Sequence, residues 1–236
     1  MKYLVSLLVF AIILSSCESS SENTMILTGN IEGLKKGTVL LQKIEDTLLL
    51  SIDSVTINGD PTFTFKDEIT SPEVYYLYLR LKDGSLLDER IPFFAEPSEI
   101  NITTSLKSFA IDAEITGSLN QDKSKEYNKL MQRYRDRNLE LIENEFIARK
   151  DGKDSAANAL RKQQNALQRS SYLATINFAR NNPDIELSPY LLINETPDIN
   201  IKYLDTIYNS LAPKIKDSKY GKDLESLIKN RKSLED

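Results

Sequence analysis

Residues 113–120, Ala113-Glu114-Ile115-Thr116-Gly117-Ser118-Leu119-Asn120, separate two halves of the chain that are written in different patterns. Upstream, from Met25 to Gly117, apolar residues recur at every second position between turn residues, the signature of a half-buried antiparallel sheet. Downstream, glycine is confined to Gly152 and Gly221 and apolar residues recur at helical spacing. Gly117 closes the first pattern, and Ser118 or Asn120 can cap a helix that opens the second. Strands segregated from helices predict an α+β fold: an N-terminal antiparallel β-sandwich or barrel-like domain over 25–117, then a helical domain over 118–236.

Within the strand half, Met25 to Ile31 leads through Gly33 to Gly37 into Thr38 to Gln42, and the expected connection is a hairpin. A second hairpin is expected where Asn58-Gly59-Asp60-Pro61 joins Leu48–Ile57 to Thr62–Phe65, since Asn-Gly favours tight turns. In the next run Val74, Tyr76, Tyr78 and Arg80 alternate with Tyr75, Leu77, Leu79 and Leu81, so both faces are apolar. Such a strand belongs in the middle of a sandwich, covered on each side. Ile91–Phe94, Ile100–Thr103 and Ala113–Thr116 complete the set.

The helical half opens with a broad stripe of Tyr127, Leu130, Met131, Tyr134, Leu141, Ile142 and Phe146, broken at Asp151-Gly152-Lys153. A second long helix runs through Ala159, Leu160, Leu167, Leu173, Ile176 and Phe178 and stops before Pro183, giving an antiparallel pair. Asp184 to Pro197 reads as a proline-punctuated connection, after which helices are expected to start at Asp198 and at Ser218.

Ahead of both halves stands Leu14-Ser15-Ser16-Cys17, which ends an apolar run from Leu4 and contains the only cysteine. Lys2 gives the run a basic start and the serines give it a small-residue end, the layout of a secretory signal. The stretch is too short for a spanning helix, which needs about 20 apolar residues. The four residues read as a lipobox: residues 1–16 form a signal peptide, Cys17 takes the lipid, and 17–24 form a polar tether. Acylation also removes the need for a thiol partner in an oxidising compartment. Glu18 stands where a retention aspartate would hold some lipoproteins in the inner membrane, so the expected location is the outer membrane of the cell envelope, facing the periplasm.

Composition narrows the chemistry. The chain has 30 basic and 35 acidic residues, of which the first 16 contribute only Lys2. A mildly acidic body with no basic tract lacks the footprint of a nucleic-acid binder. The absence of histidine removes His-based triads and proton shuttles near neutral pH, and it leaves no ordinary zinc set. Gly29 and Gly33 have no helix opening after them, so no phosphate-cradling loop is present. Carboxylate pairs, Asp88 with Glu89 and Glu143 with Glu145, are the residues a two-carboxylate hydrolase would use, but adjacent charges are usually solvated. The expectation is a chain that is not an enzyme and carries no cofactor or metal.

Two features carry sharper hypotheses. Tyr75, Tyr76, Tyr78, Phe93 and Phe94 form an aromatic cluster suited to a groove for an extended peptide or a glycan, although core packing is the commoner role. Four Asp-Ser/Thr-apolar triplets fit the pattern that some bacteria glycosylate in the periplasm, making Thr47, Ser54, Ser155 and Thr206 candidate O-glycosylation acceptors.

Several short runs carry a resemblance. Thr28-Gly29-Asn30-Ile31-Glu32-Gly33, Ile52-Asp53-Ser54-Val55 with Asn58-Gly59 and Phe63 to Phe65, and Ile115-Thr116-Gly117-Ser118 resemble a bacterial module of unknown function. It precedes the thioredoxin-like domain in lipoprotein thiol-disulfide oxidoreductases of the TlpA/ResA type. Ser188-Pro189-Tyr190 and Ser218-Lys219-Tyr220-Gly221-Lys222 extend the likeness through the helical half. The resemblance implies an envelope-facing body of strands followed by helices. A dithiol couple needs two thiols, and this sequence has one, so the expectation is the front module without its thioredoxin-like domain. Two functions follow as expectations: a non-catalytic accessory lipoprotein that binds an envelope partner, such as a redox protein, or, as the alternative, a small-ligand or glycan binder or a carboxylate-type hydrolase. Replacing Cys17 by Ser is expected to move the protein out of the membrane fraction or leave an unprocessed precursor. Unchanged fractionation and metabolic lipid labelling would overturn the lipobox reading.

Overall fold

The computed structural model describes residues 23–235, so the signal, Cys17 and most of the tether lie outside the described residues. Strands come first: β1 (Thr24–Glu32), β2 (Lys36–Glu45), β3 (Leu48–Asn58), β4 (Thr62–Glu68), β5 (Glu73–Leu81), β6 (Ile91–Ala95), β7 (Glu99–Ser105) and β8 (Glu114–Thr116). Helices follow: α1 (Leu119–Lys150), α2 (Asp154–Asn181), α3 (Leu187–Glu195), α4 (Ile201–Ser210), α5 (Pro213–Lys216) and α6 (Lys219–Glu235). The fold is α+β, with the change of pattern at Gly117 falling between β8 and α1.

The strands form two four-stranded sheets, ordered β4-β1-β7-β8 and β3-β2-β5-β6. Neither expected hairpin exists. The connections at Gly33–Gly37 and Asn58–Pro61 instead carry the chain from one sheet to the other, β1 to β2 and β3 to β4. Gly33 (φ 84°) and Gly59 (φ 107°) supply the left-handed backbone these corners need. The corners also brace each other: Gly59 N–H donates to the Lys35 carbonyl at 2.8 Å and Ile31 N–H to that of Pro61 at 3.1 Å. A hairpin does join β2 to β3 through Asp46-Thr47, with Asp46 at φ 56°, a conformation its short polar side chain tolerates. Crossing between sheets also brings β7 beside β1 in the same direction, so this pair is parallel where an antiparallel sheet was expected.

Alternation then does what period two requires. Met25, Leu27, Ile31, Phe63, Phe65, Ile100 and Ile102 from the first sheet meet Val39, Leu41, Tyr75, Leu77, Leu79, Ile91 and Phe93 from the second in one core. The opposite face of β5 and β6 is apolar too, as the sequence of β5 requires, and Val74 and Phe94 there pack against Tyr127, Leu191, Tyr190 and Tyr220 of the helices. A separate helical core gathers Ile176, Leu192, Leu204, Ile207, Ile215, Leu224 and Ile228.

The helical half departs from expectation in three places. The stretch 184–197 contains α3, because Pro189 sits in its first turn, where the missing N–H costs nothing. Asn200, not Asp198, caps α4, its side chain accepting from Lys202 N–H at 3.0 Å. And the α1 stripe splits, with Tyr127, Met131 and Leu141 buried and Ile142 and Phe146 exposed. Close approach governs the last helix. A Cβ at Gly221 would lie 1.9 Å from the Ile215 carbonyl oxygen and 2.7 Å from that of Lys216. Gly221→Ala is therefore expected to cost at least the ~1–3 kcal/mol typical of overpacking, read as a lowered midpoint in urea. A wild-type midpoint would mean that α5 and α6 do not pack this closely.

Candidate functional site

Sheet and helices meet at a polar knot with an aromatic floor. Ser118 caps α1 by accepting from Gln121 N–H at 3.0 Å. The Glu96 carboxylate, just past β6, accepts from Leu119 N–H at 2.5 Å and from Asn120 N–H at 3.4 Å, so a negative charge meets the helix N-terminus. The Asn120 amide donates to Glu96 at 2.7 Å and to Glu186 at 2.9 Å, while its carbonyl accepts from Leu187 N–H at 2.8 Å, which ties in the start of α3. Gln121 accepts from Phe94 N–H on the β6 edge at 3.2 Å. On the far side Val74 N–H donates to the Tyr220 hydroxyl at 3.0 Å, and Lys219 pairs with Glu73. Beneath these bonds Phe94, Tyr190 and Tyr220 stack edge to face, 5.1–6.4 Å apart. A 220 Å³ depression opens here, lined by Val74, Pro92, Phe94, Tyr190, Gln121 and Glu195 among others.

The structure divides the predicted aromatic cluster instead of assembling it. Tyr75 and Phe93 point into the sandwich core, with the Tyr75 hydroxyl donating to Asp67 at 2.8 Å. Phe94 lies under the helices. Tyr78 is buried beneath Arg90, whose guanidinium sits 4.2 Å over the ring, and Tyr76 is only half-buried. Strand alternation is the reason: neighbours in sequence face opposite ways. The expected groove for a peptide or glycan is therefore not built from these five residues.

The candidate acceptors Thr47, Ser54, Ser155 and Thr206 are all exposed, at the β2–β3 turn, on the β3 edge, in the first turn of α2 and on α4 respectively. Of the carboxylate pairs, Asp88, Glu89 and Glu143 are exposed, whereas Glu145 is buried. No group of three potential metal-ligating His, Cys, Asp or Glu residues occurs among the described residues.

Glu145 has a structural task that pairing with Glu143 did not suggest. It accepts from Arg149 at 2.7 and 2.9 Å and from Gln164 at 2.8 Å and forms an ion pair with Arg161 at 2.9 Å, so it clasps α1 to α2. The Arg149 hydrogen bond, helped by Gln164 and Arg161, holds its carboxyl below the usual range. It lies on the inner seam Tyr127, Met131, Tyr134, Asn138, Leu141, Glu145, Ala148, whose alternating spacing of four and three keeps one face toward α2. A 32-residue helix is about 48 Å long, and although Leu141, Ala148 and Ala157 are buried, no residue from Asp136 to Gln163 joins the clusters that pack the helices against the sheet or gather α3 to α6. The two helices thus project as an arm. Leu139 (65 % exposed), Ile142 and Phe146 (69 % exposed) recur at i, i+3 and i+7 along one outer flank. Ile142 also lines a 430 Å³ groove with Tyr134, Gln164 and Leu167. The seam spacing would have identified this flank in the sequence, because Leu139, Ile142 and Phe146 all fall outside it.

An eight-stranded, two-sheet sandwich locked onto a helical half with a projecting arm is the class of protein defined by this fold. Residues 25–124 match the model of a family described as a domain of unknown function, DUF4369. The matched segment runs past Gly117 into the first turns of α1, and so includes the Glu96–Asn120 knot. No curated protein matches the chain. Among the described residues no helix is long and apolar enough to cross a membrane.

Burial raises the hydroxyls of Tyr75, Tyr190 and Tyr220 above the usual 10.0 and pushes that of Tyr127 up to about 12. These groups are neutral hydrogen-bonding partners near pH 7, not acids or bases. As pH rises, the unfolded chain releases these protons before the folded one. Their contribution to stability is thus complete below pH 10 and is lost as pH climbs through the folded values. Denaturation profiles are expected to weaken above pH 10, less steeply for Tyr127→Phe; a slope identical to wild type would contradict the burial of that hydroxyl.

Proposed function

We propose that the protein is a lipid-anchored component of the cell envelope, with no catalytic chemistry of its own, that holds a protein partner through the outer flank of the α1–α2 arm. The observation that carries this reading is the line Leu139, Ile142, Phe146, exposed on a stretch of the helix pair that joins none of those clusters. Single exposed apolar residues are ordinary, but three in register on one flank offer the i, i+3, i+7 anchors that an amphipathic helix or apolar groove recognises. The clasp at Glu145 keeps that flank turned outward, which lowers the ordering cost of binding.

The single cysteine, the lipobox and the likeness to the front module of TlpA/ResA-type oxidoreductases support a partner that brings its own dithiol, in the periplasm beside the outer membrane. The match of 25–124 to a domain of unknown function is compatible with an accessory role and adds no activity. The test is a photo-crosslinking residue at position 146 in the anchored protein in its own envelope, with one at exposed Lys36 as control. Position 146 is expected to trap a thiol-disulfide oxidoreductase, and Phe146→Ser to reduce co-purification of that partner by about tenfold or more while shifting stability by less than about 0.5 kcal/mol. A trapped partner without paired cysteines would overturn the redox part of the reading. Equal trapping at positions 36 and 146 would overturn the arm as the binding surface.

A further inference from the structure

The β2–β3 hairpin is the second place where the fold displays aliphatic side chains. Pairing of β2 with β5 ends at Lys43–Tyr75, while pairing with β3 continues through Ile44–Leu49 and Glu45–Leu48 to the turn. Around that two-residue turn stand Ile44, Leu48, Leu49 and Leu50, all exposed, with Leu48 at 65 %. Cross-strand partners share a face, so Ile44 and Leu49 occupy one side of the tip and Leu48 and Leu50 the other. Both sides of the tip are therefore apolar.

The position of the tip relative to the start of the fold identifies what covers it. Asn23, immediately before β1, accepts from Ile69 N–H at 2.8 Å. From Ile69 the chain passes Ser71, bonded to Lys219 N–H at 3.0 Å, and enters β5 at Glu73, which pairs with the Lys219 ammonium. That same ammonium reaches the Ile44 carbonyl at 3.5 Å. Asn23 and the leucine turn thus sit at one end of the sandwich, and Lys82, after the last residue of β5, marks the other. From Cys17 to Asn23 is six residues, a span of at most about 20 Å.

We propose that the Ile44–Leu50 tip is a second membrane contact, lying in the interfacial layer of the bilayer that holds the Cys17 lipid. This inference rests on the lipid anchor proposed above. The anchor confines this end of the sandwich to within about 20 Å of the lipid surface, and the tip is its most apolar exposed feature. Charges around the tip are mixed, with Lys43 and Lys219 against Glu45, Asp46 and Glu73. Contact therefore depends on aliphatic burial and not on anionic lipid. Two contacts fix the orientation of the body where a single anchor would not.

Acylated Cys17 offers no free thiol, so Leu48→Cys in the full anchored chain provides one labelling position, with Leu50→Cys as a second and Lys82→Cys as control. Each is labelled with an environment-sensitive fluorophore and placed in phosphatidylcholine vesicles with and without brominated acyl chains. Brominated lipid is expected to quench roughly half or more of the emission from positions 48 and 50 and little from 82, independently of salt. Absence of quenching at 48 and 50 in protein that floats with vesicles overturns the inference and leaves the anchor standing. Equal quenching at 82 overturns it in favour of general adsorption, and label-to-label quenching that grows with protein density overturns it in favour of a copy-to-copy contact. Protein that does not float, with Cys17 itself labelled, overturns the anchor and the inference together.

Discussion

One carboxamide joins three segments where the two halves of this protein meet. Asn120 spends both N–H groups on two different carboxylates, Glu96 behind β6 and Glu186 at the threshold of α3, and its carbonyl on Leu187 N–H. The site is nearly sealed, with Asn120 2 % exposed. Removing that side chain would leave two carboxylates facing each other and a buried donor unsatisfied, an omission that costs about 1–3 kcal/mol per group. Only an amide has the donors and the acceptor for all three neighbours; an aspartate would present a third negative charge. The starts of α1 and α3 take their orientation from this point, since α1 begins at the knot and α3 is pinned to it.

The arm shows how far that orientation carries. Beyond Leu141 the helix pair has little apolar surface to bury between its members, and Ala148 and Ala157 mark how thin the interface is there. Glu145 compensates by joining Arg149, Arg161 and Gln164 across the pair. The ion cluster is only partly shielded, so it fixes register more than it stabilises. An outward apolar flank on a register-fixed rod is a recognition element whose geometry is settled before any partner arrives.

Much of this was legible in the sequence, and the failures have a common physical root. Period two and period 3.6 are local, so the boundary at Gly117, the strands and the long helices could be read directly. Pairing is not local. Asn58-Gly59 looks like a hairpin turn because glycine permits positive φ, but a corner between sheets needs the same backbone, and only the partner strand distinguishes them. The aromatic cluster failed for a related reason: composition grouped Tyr75, Tyr76 and Tyr78 while the pleat separated them. Ser118 could be read as a cap because capping is local, whereas Tyr220 and Gly221 were visible only as motif members: their tasks as acceptor and contact point depend on Val74 and Ile215, which adjacency does not supply.

The parallel pairing of β1 with β7 has a consequence in time. Thr28 and Ile100, whose side chain and carbonyl meet at 3.4 Å, are 72 positions apart, and every strand of the other sheet lies between them. Closing so long a loop must precede any reward from the contact, and folds dominated by such pairings form slowly. The first strand to emerge therefore waits, hydrogen-bonded on one edge at most, until β7 has been made and delivered.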